Sequence, residues 1–289
     1  YYELFEEQLR PFEITTPEGE RNCIFPSQQT ITSGEYPLAR RMLLTTTQRS
    51  LERSEVSEFL LHYLNNAEDD ATRAVILTGA DPAFCSGGDI KEMNDPDSVF
   101  RKEPLAAAQS YVDGVQRLPL ALYNMDIPTI AAVNGPAVGA GCDLTMMCDM
   151  RIASEKARFG EVFLNLGIIP GDAGSWFLLR RLGHQKAADL TFSGRMVEAK
   201  EALELGMVLE LVPHEKLMER ARERAAVIAA KPPRAVRVAK RLMRNAERMD
   251  LPDFLNSAAA YQALMHQTED HHEAVAAFVE KRKPNFTGR

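Results

Sequence analysis

The sequence has little cysteine, and the cysteines it has are not arranged for metal binding. Its 4 cysteines among 289 residues include no CxxC pair, and the nearest histidines lack ligand spacing. We therefore expect no metal site. Cys142 and Cys148 lie in an apolar, helix-like run, which is typical of buried free thiols and favours a reducing, cytoplasmic compartment.

The sequence also lacks long apolar runs and an excess of basic residues. No stretch of about 18 apolar residues occurs, so we predict no membrane span. The acidic start lacks the basic-then-apolar pattern of a signal peptide. With 34 basic and 41 acidic residues, the net charge is −7, so we expect no nucleic-acid partner. Basic clusters such as 234–244 can still bind a phosphorylated ligand, with a solvated helix face as the alternative.

The chain is long enough for one large domain or two smaller ones. From residue 73 onward, short apolar strands alternate with helical segments. The predicted strands are Ala74–Gly79, Thr129–Asn134 and Met150–Ala153, and a long helix weakened near Pro119 is predicted over 104–125. This alternation indicates right-handed βα units.

The chain beyond Gly171 is predicted to be mainly helical. After several short helices, a late strand is predicted over 207–212. Longer helices are predicted over 214–230, 233–247, 252–265 and 270–283. One helical stripe, which includes Phe254 and Tyr261, favours a core or subunit interface over a ligand site.

Two glycine-rich turns follow predicted strands, at 83–90 and 134–143. Small residues let a ligand approach the backbone and leave N–H groups unblocked. The second turn opens a helix, whose N-terminus favours negative charge. Facing each other, the two turns would supply a pair of N–H donors for an oxyanion. An anion or phosphate loop, or plain tight packing, is the alternative.

Four separated motifs strengthen the oxyanion interpretation. They are AFCSGGDIKEM at 83–93, PTIAAVNGPAVGAGCDLTMMCDMRIASEKARFG at 128–160, LGIIPGDAGSW at 166–176 and AFVEKRKPNF at 277–286. In order and spacing they resemble the crotonase (enoyl-CoA hydratase/isomerase) superfamily, from about residue 69 to the C-terminus. The resemblance implies an α/β fold: a crotonase-like spiral of ββα units over 69–205, and a C-terminal helical trimerisation layer over 206–289.

The resemblance also implies a partner and an assembly. The substrate would be an acyl-CoA, with coenzyme A as part of the substrate and no separate cofactor. The protein would form a homotrimer or a dimer of trimers. By position, the backbone N–H groups of Ser86 and Ala140 would form the oxyanion hole. The neighbouring residues of the first turn, Cys85, Gly87, Gly88 and Asp89, would contact the substrate.

The acid–base residues depart from the family pattern. The first catalytic Glu of the family falls at Asp143, which keeps the acid–base chemistry. The second falls at Phe163, which cannot move a proton and is expected only to contact substrate. Glu161, on the same face if the segment is a strand, or Asp172 could supply the missing carboxylate. Capping or surface solvation is the alternative for all three acids.

Coenzyme A carries phosphates and an adenine, which need their own contacts. Phe278 and Lys281 match the family segment that contacts the nucleotide, often from a neighbouring subunit. Lys91, near the first turn, is a further candidate, with a plain surface lysine as the alternative.

Residues 1–68 lack the family's N-terminal pattern. A strand over 41–47 and a helix over 54–65 are predicted there. The runs 31–40 and 51–67 locally resemble the C-terminal part of the phosphate-binding protein of ABC transporters, although such a fragment is too short to bind phosphate alone. We expect an atypical segment, with an exposed, aggregation-prone edge strand if it does not pair.

Several functions therefore stay open from the sequence. Enoyl-CoA hydratase or isomerase chemistry comes first, and the missing Glu favours isomerase. Acyl-CoA hydrolase or other enolate chemistry is the alternative among enzymes. A non-catalytic acyl-CoA-binding protein is the alternative in another class, and a periplasmic phosphate binder is disfavoured by the short fragment.

Overall fold

The computed structural model describes residues 42–46 and 72–289. Leu43–Arg289 form one compact unit. The described strands are β1 (Met42–Thr46), β2 (Val75–Gly79), β3 (Thr129–Val133), β4 (Pro136–Val138), β5 (Met150–Ser154), β6 (Arg158–Gly160), β7 (Met196–Glu198) and β8 (Glu210–Val212). The predicted helix over 54–65 lies outside the described residues.

The strands form two sheets. The larger sheet has the order β1-β2-β3-β5-β8, and the smaller has the order β4-β6-β7. Parallel pairing joins β2 to β3, β3 to β5 and β5 to β8. In the smaller sheet β4 and β6 are parallel, whereas β6 and β7 are antiparallel. The chain passes from the larger sheet to the smaller one between β3 and β4, and again between β5 and β6, which produces the expected ββα spiral.

The helices lie between and after these strands. They are α1 (Ile90–Asn94), α2 (Pro104–Asp113), α3 (Arg117–Asn124), α4 (Ala140–Met147), α5 (Gly174–Leu182), α6 (His184–Ser193), α7 (Ala199–Leu205), α8 (Leu217–Ala229), α9 (Pro233–Ala246), α10 (Leu251–Met265) and α11 (Glu269–Glu280). Short 3₁₀ turns span Val99–Arg101, Val162–Leu166 and His214–Lys216. The predicted helical C-terminal region is therefore present.

The core explains why the strands are apolar throughout. Every residue of β2 and β3 is buried, as expected for parallel strands covered on both faces. Ile76, Ile130 and Ile152 from three adjacent strands pack together with Leu217 and Ala221 of α8. The helical layer thus holds the larger sheet, whose strand ends carry the two glycine-rich turns.

Two local predictions need correction. The helix predicted over 104–125 is two helices, because the chain breaks at Gly114 and not near Pro119. Pro119 is the third residue of α3, where its missing N–H has no intrahelical acceptor to lose. The helix predicted to run to residue 283 ends at Glu280, since Lys281 adopts a left-handed conformation with φ 56°.

Candidate active site

The two glycine-rich turns are joined by backbone pairing. Cys85 forms a parallel bridge with Ala137. The N–H of Val138 donates to the Cys85 carbonyl at 2.9 Å, and the Cys85 N–H donates to the Pro136 carbonyl at 3.1 Å. Gly141 makes the approach possible, because a Cβ there would lie 2.0 Å from the Cys85 oxygen. The turns predicted to face each other are therefore in direct contact.

This contact brings the amides of Ser86 and Ala140 into one region. At Gly87, a Cβ would lie 2.7 Å from the Val138 carbonyl oxygen and 3.4 Å from the Ala140 nitrogen. Ala140 begins α4 after Gly139, whose φ is 55°. The first N–H groups of a helix have no intrahelical acceptor. Within the described residues, neither the Ser86 nor the Ala140 N–H donates a hydrogen bond.

The acids predicted from the sequence, Asp143, Glu161 and Asp172, lie together inside the protein. Their exposed fractions are 0%, 2% and 4% respectively. No donor among residues 72–289 gives a hydrogen bond to either oxygen of Asp143 or Glu161, or to Oδ1 of Asp172. Asp143 is nevertheless close enough to Glu161 and Asp172 for their charges to raise the pKa of its carboxyl group. Carboxyl groups buried this close together, here called the carboxyl cluster, favour keeping a proton over carrying three negative charges.

The surroundings raise the pKa of both Asp143 and Glu161. Burial raises the pKa of Asp143 well above its usual value, and the charges of Glu161 and Asp172 raise it further. Burial also raises the pKa of Glu161, and the neighbouring side chains of Asp143 and Cys142 work against that rise. Raised pKa values of this origin are typical of carboxyl groups that exchange protons in an active site.

The fold fixes each carboxyl group from a different element. Asp143 lies in the first turn of α4, where its N–H donates to the Gly139 carbonyl at 3.1 Å. Gly174, the first residue of α5, lies against it, because a Cβ there would be 2.1 Å from Oδ1 of Asp143. Asp172 occupies the turn that leads into α5, and Glu161 follows β6. The packing of α4 against α5 brings Asp143 and the turn with Asp172 together, and the burial of Glu161 places its carboxyl group beside Asp143.

Glu161 joins the cluster from a different local structure than expected. The same-face prediction assumed a strand, but β6 ends at Gly160, and Glu161 precedes the 3₁₀ turn Val162–Leu166. The half-buried Phe163 does not replace a carboxylate in the cluster. Its ring lies about 3.7 Å from where a Cβ of Gly139 would be. Phe163 therefore forms an apolar wall beside the start of α4.

Other residues of the first turn have local structural roles. Oδ1 of Asp89 accepts hydrogen bonds from the N–H groups of Lys91 at 2.7 Å and Glu92 at 3.3 Å, so it caps α1. Its predicted contact with the substrate stays a prediction. Gly87 has φ 87°, a left-handed conformation that favours glycine. Lys91 and Gly88 are exposed and Cys85 is buried.

The structure does not bring Phe278 and Lys281 to the carboxyl cluster. Both lie at the exposed end of α11, where the Phe278 ring is 87% accessible. Their nucleotide-contacting role therefore stays a prediction that depends on a second subunit.

Sequence reasoning missed residues that come from α2 and the chain after it. The ring of Tyr111 lies against Gly171, with Cε1 at 2.9 Å from where a Cβ would be. Nε2 of Gln116 donates to the Gly171 carbonyl at 3.0 Å. Nothing in the local pattern of α2 signals this contact, because it depends on packing against a distant turn.

The described residues hold neither a metal-binding cluster nor a membrane span. No group of three or more His, Cys, Asp or Glu side chains there is arranged to hold a metal ion. None of the described helices is long and apolar enough to cross a membrane.

The fold and this site agree with what the chain is similar to. The profile of the enoyl-CoA hydratase/isomerase family matches residues 45–289, and the chain belongs to that family, whose members share the crotonase fold. The match begins inside the segment 1–68. The comparisons do not support the resemblance of that segment to a phosphate-binding protein.

Individual relatives cover most of the chain. The 2,3-dehydroadipyl-CoA hydratase of Escherichia coli K12 is 35% identical over 86% of this chain and 96% of its own. The 1,2-epoxyphenylacetyl-CoA isomerase of the same organism is 35% identical over 76% and 83%. The crystal structure of an enoyl-CoA hydratase from Bacillus anthracis is similar with a TM-score of 0.75, at 34% identity, over 86% and 96%. The chain is thus an acyl-CoA enzyme of the crotonase fold.

Proposed function

We propose that the protein binds an enoyl-CoA thioester, stabilises its enolate, and either hydrates the double bond or shifts it. One observation carries the proposal. Two backbone amides without a hydrogen-bond acceptor among the described residues, those of Ser86 and Ala140, lie on paired turns. The second turn leads within one helical turn to Asp143 and its buried carboxyl cluster.

In this proposal the two amides hold the thioester oxygen while negative charge develops on it. Donors placed in advance at such a point act in a water-poor site, and losing one costs about 3–4 kcal/mol of transition-state stabilisation. The reaction uses only the amides and side chains of this chain, because coenzyme A is part of the substrate.

The carboxyl cluster would move the protons. Asp143 holds a proton in the free protein, so it can protonate the α-carbon of the enolate. Glu161 can accept a proton from water or from carbon, and Asp172 is the remaining carboxyl group. A double-bond shift needs one group that removes and returns a proton, whereas hydration needs an acid and a base. The paired Asp143 and Glu161 satisfy both requirements, although Phe163 occupies the family's second Glu position.

The test is turnover of crotonyl-CoA, followed by the loss of absorbance of the conjugated thioester. Loss of absorbance with formation of 3-hydroxybutyryl-CoA supports hydration. A 3-enoyl-CoA that gains conjugation supports isomerisation. Release of free coenzyme A supports the hydrolase alternative, and saturable binding without turnover of any of these substrates contradicts the proposal.

We also propose that the nucleotide of coenzyme A is bound between subunits. Phe278 and Lys281 are exposed on α11, and Lys91 is exposed near the first turn, so each is available for an aromatic or ionic contact with adenine or phosphate. A Lys281→Met variant should raise the KM for crotonyl-CoA by about tenfold and leave kcat within twofold, since a remote phosphate contact binds ground state and transition state alike. An unchanged KM would remove Lys281 from the site.

A homotrimer, alone or paired as a dimer of trimers, is proposed for the assembly. No residue of the 15-residue helix α10 is buried. Exposed apolar side chains on α10 and α11 support an interface there; they are Leu251, Leu255, Leu264, Val275, Phe278 and Val279. Large exposed apolar patches mark association surfaces.

A cytoplasmic location is proposed as well. It is supported by Cys142 and Cys148, which are buried thiols without a disulfide. Fractionation of cells that express the protein would test this location directly.

A further inference from the structure

Helix α2 directs one tyrosine toward the carboxyl cluster. Tyr111 packs on Gly171, with Cε1, Cδ1 and Cζ at 2.9, 3.3 and 3.7 Å from where a Cβ of that glycine would lie. Phe100 holds the other side of the ring edge-on, with centroids 5.9 Å apart at 68°. Because Cζ carries the hydroxyl group, the phenol lies next to the turn that holds Asp172.

The rest of the contact keeps the ring over this turn. Gln116, which follows α2, donates from Nε2 to the Gly171 carbonyl at 3.0 Å. Glycine at position 171 lets the ring approach this closely, since a Cβ there would make the ring of Tyr111 shift. The contacts of Tyr111 and Gln116 hold α2 and the chain just after it against Gly171, the residue that precedes Asp172.

The phenol is a neutral hydrogen-bond donor at this place. Burial raises the pKa of Tyr111, and the charge of Asp172 raises it further, so the O–H keeps its proton over the range in which carboxyl groups work. Within the described residues, no direct hydrogen bond joins Tyr111 to Asp172, and Oδ1 of Asp172 is buried without a donor. The Tyr111 hydroxyl and the Asp172 carboxyl group are therefore neighbours, and no hydrogen bond between them has to break before the hydroxyl can donate to a substrate.

Among the described residues, one donor already placed at the acids is the Cys142 thiol, which faces Glu161 and is only a weak donor. The three acids offer mainly acceptor oxygens, and the amides of Ser86 and Ala140 are assigned to the thioester oxygen. An oxygen on the β-carbon of the acyl group would need a donor of its own, and Phe163 cannot provide one.

We infer that Tyr111 contacts the substrate: its phenol O–H donates a hydrogen bond to the oxygen at the β-carbon of the acyl group. This inference rests on the proposed function and favours hydration within it. In the forward step the water oxygen bonds to the β-carbon as the α–β π bond breaks. One water proton passes to a carboxylate of the cluster, and the proton held by the cluster passes to the α-carbon. The number of protons on the cluster is unchanged, and Tyr111 keeps its own.

The decisive variant is Tyr111→Phe, which keeps the ring and removes only the hydroxyl. Hydration of crotonyl-CoA should slow by about tenfold, the size expected for one lost hydrogen bond. Exchange of the α-protons of butyryl-CoA with deuterium oxide should stay within twofold, because it needs the amides and a base but no β-oxygen. The affinity for 3-hydroxybutyryl-CoA should fall by about tenfold relative to butyryl-CoA.

Tyr123→Phe is the matched control, since its hydroxyl is buried without a partner among the described residues and its ring packs in an aromatic cluster with Trp176. It should change none of these quantities. Equal loss of hydration and exchange in Tyr111→Phe, or unchanged hydration, would overturn the inference. Proton exchange without hydration of any enoyl-CoA by the unmodified protein would overturn it too. Absence of both exchange and hydration in the unmodified protein would instead remove the proposed function.

Discussion

At the scale of single residues, the carboxyl cluster is the most unusual chemistry of this protein. Buried carboxyl groups without donors destabilise a fold, so a protein keeps them only where they are used. Asp143 is fully buried, and both of its oxygens lack a donor within the described residues. The same burial that destabilises Asp143 raises its pKa and prepares it to act as an acid.

The Asp143→Asn variant tests whether this buried acid lowers the stability of the fold and is needed for activity. Because its pKa is raised in the folded state, the folded protein binds more protons than the unfolded chain above the ordinary pKa of 3.8. Stability therefore falls as pH rises through that window. Neutral Asn removes this loss of folding stability. We therefore expect the variant to be about 1–3 kcal/mol more stable than the unmodified protein at pH 7, and equally stable below about pH 4. Its kcat should be lower by about 10²–10⁴-fold.

The measurements are the melting temperature at several pH values and turnover of crotonyl-CoA. Glu155→Gln, at an exposed position, is the control and should change neither. A melting temperature of Asp143→Asn that stays below that of the unmodified protein at every pH would contradict the pKa argument.

Gly174→Ala separates geometry from charge at the same site. The new Cβ would lie 2.1 Å from Oδ1 of Asp143, closer than any real contact allows, so the carboxyl group must move. We expect kcat to fall by about 10²-fold, as for other small displacements of catalytic groups, although alanine favours a helix more than glycine does.

Gly206→Ala provides the comparison for that variant. Gly206 has φ 82° and nothing within 4 Å of the added Cβ, so alanine there costs about 1–2 kcal/mol of stability without touching the cluster. Turnover and urea unfolding of both variants check the pair, and full activity of Gly174→Ala would show that Asp143 is not held where the structure places it.

At the scale of elements, a buried lysine ties α9 to the start of β3, the central strand of the larger sheet. Nζ of Lys240 lies 2.6 Å from Asp149 and donates to the Ile127 carbonyl at 2.8 Å. Oδ2 of Asp149 in turn accepts from the N–H of Thr129, the first residue of β3. The ion pair therefore joins the helical layer to the start of the strand that leads to the second glycine-rich turn.

Lys240→Met should cost about 2–3 kcal/mol of unfolding free energy. Loss of one partner of a buried ion pair generally costs about 3–5 kcal/mol. We expect a smaller cost here because Asp149 is partly exposed and keeps its hydrogen bonds from Thr129. Urea unfolding measures the change, and Lys200→Met at an exposed position of α7 should be neutral. An unchanged midpoint in Lys240→Met would show that the pair does not anchor α9.

At the scale of the whole molecule, the C-terminal helices leave an apolar face uncovered. Leu251 is 67% exposed and Leu255 is 56% exposed, one turn apart on the same side of a helix with no buried residue. Burying apolar area contributes about 25 cal/mol per Å², so the proposed subunit interface would be stabilised by removing this face from water.

A Leu251→Asp/Leu255→Asp double variant should therefore shift the protein toward monomers. Light scattering coupled to gel filtration gives the mass directly. Leu105→Asp, a leucine that is 84% exposed on α2, is the control and should leave the mass of the assembly unchanged. A monomeric unmodified protein, or a double variant with unaltered mass, would contradict the proposed interface.

Local pattern in the sequence was enough to predict several parts of this protein. The apolar runs at Val75–Gly79 and Thr129–Val133 were predicted as buried strands because uninterrupted hydrophobicity suits a parallel sheet covered on both faces. The glycine-rich turns were predicted because close backbone approach needs residues without side chains. Asp143, Glu161 and Asp172 were predicted as acids of one site, with Glu161 and Asp172 as alternatives, and the structure buries all three.

The way these parts meet depends on tertiary packing. The break of the predicted helix falls at Gly114, a residue with low helix propensity, whereas the 3₁₀ turn after Glu161 has no comparable signal in the sequence. Tyr111 reaches Gly171, and Gly174 reaches Asp143, across long stretches of chain. Periodicity reports which face of an element is apolar, but the partner of a given side chain depends on how separate elements pack, and no local pattern encodes that.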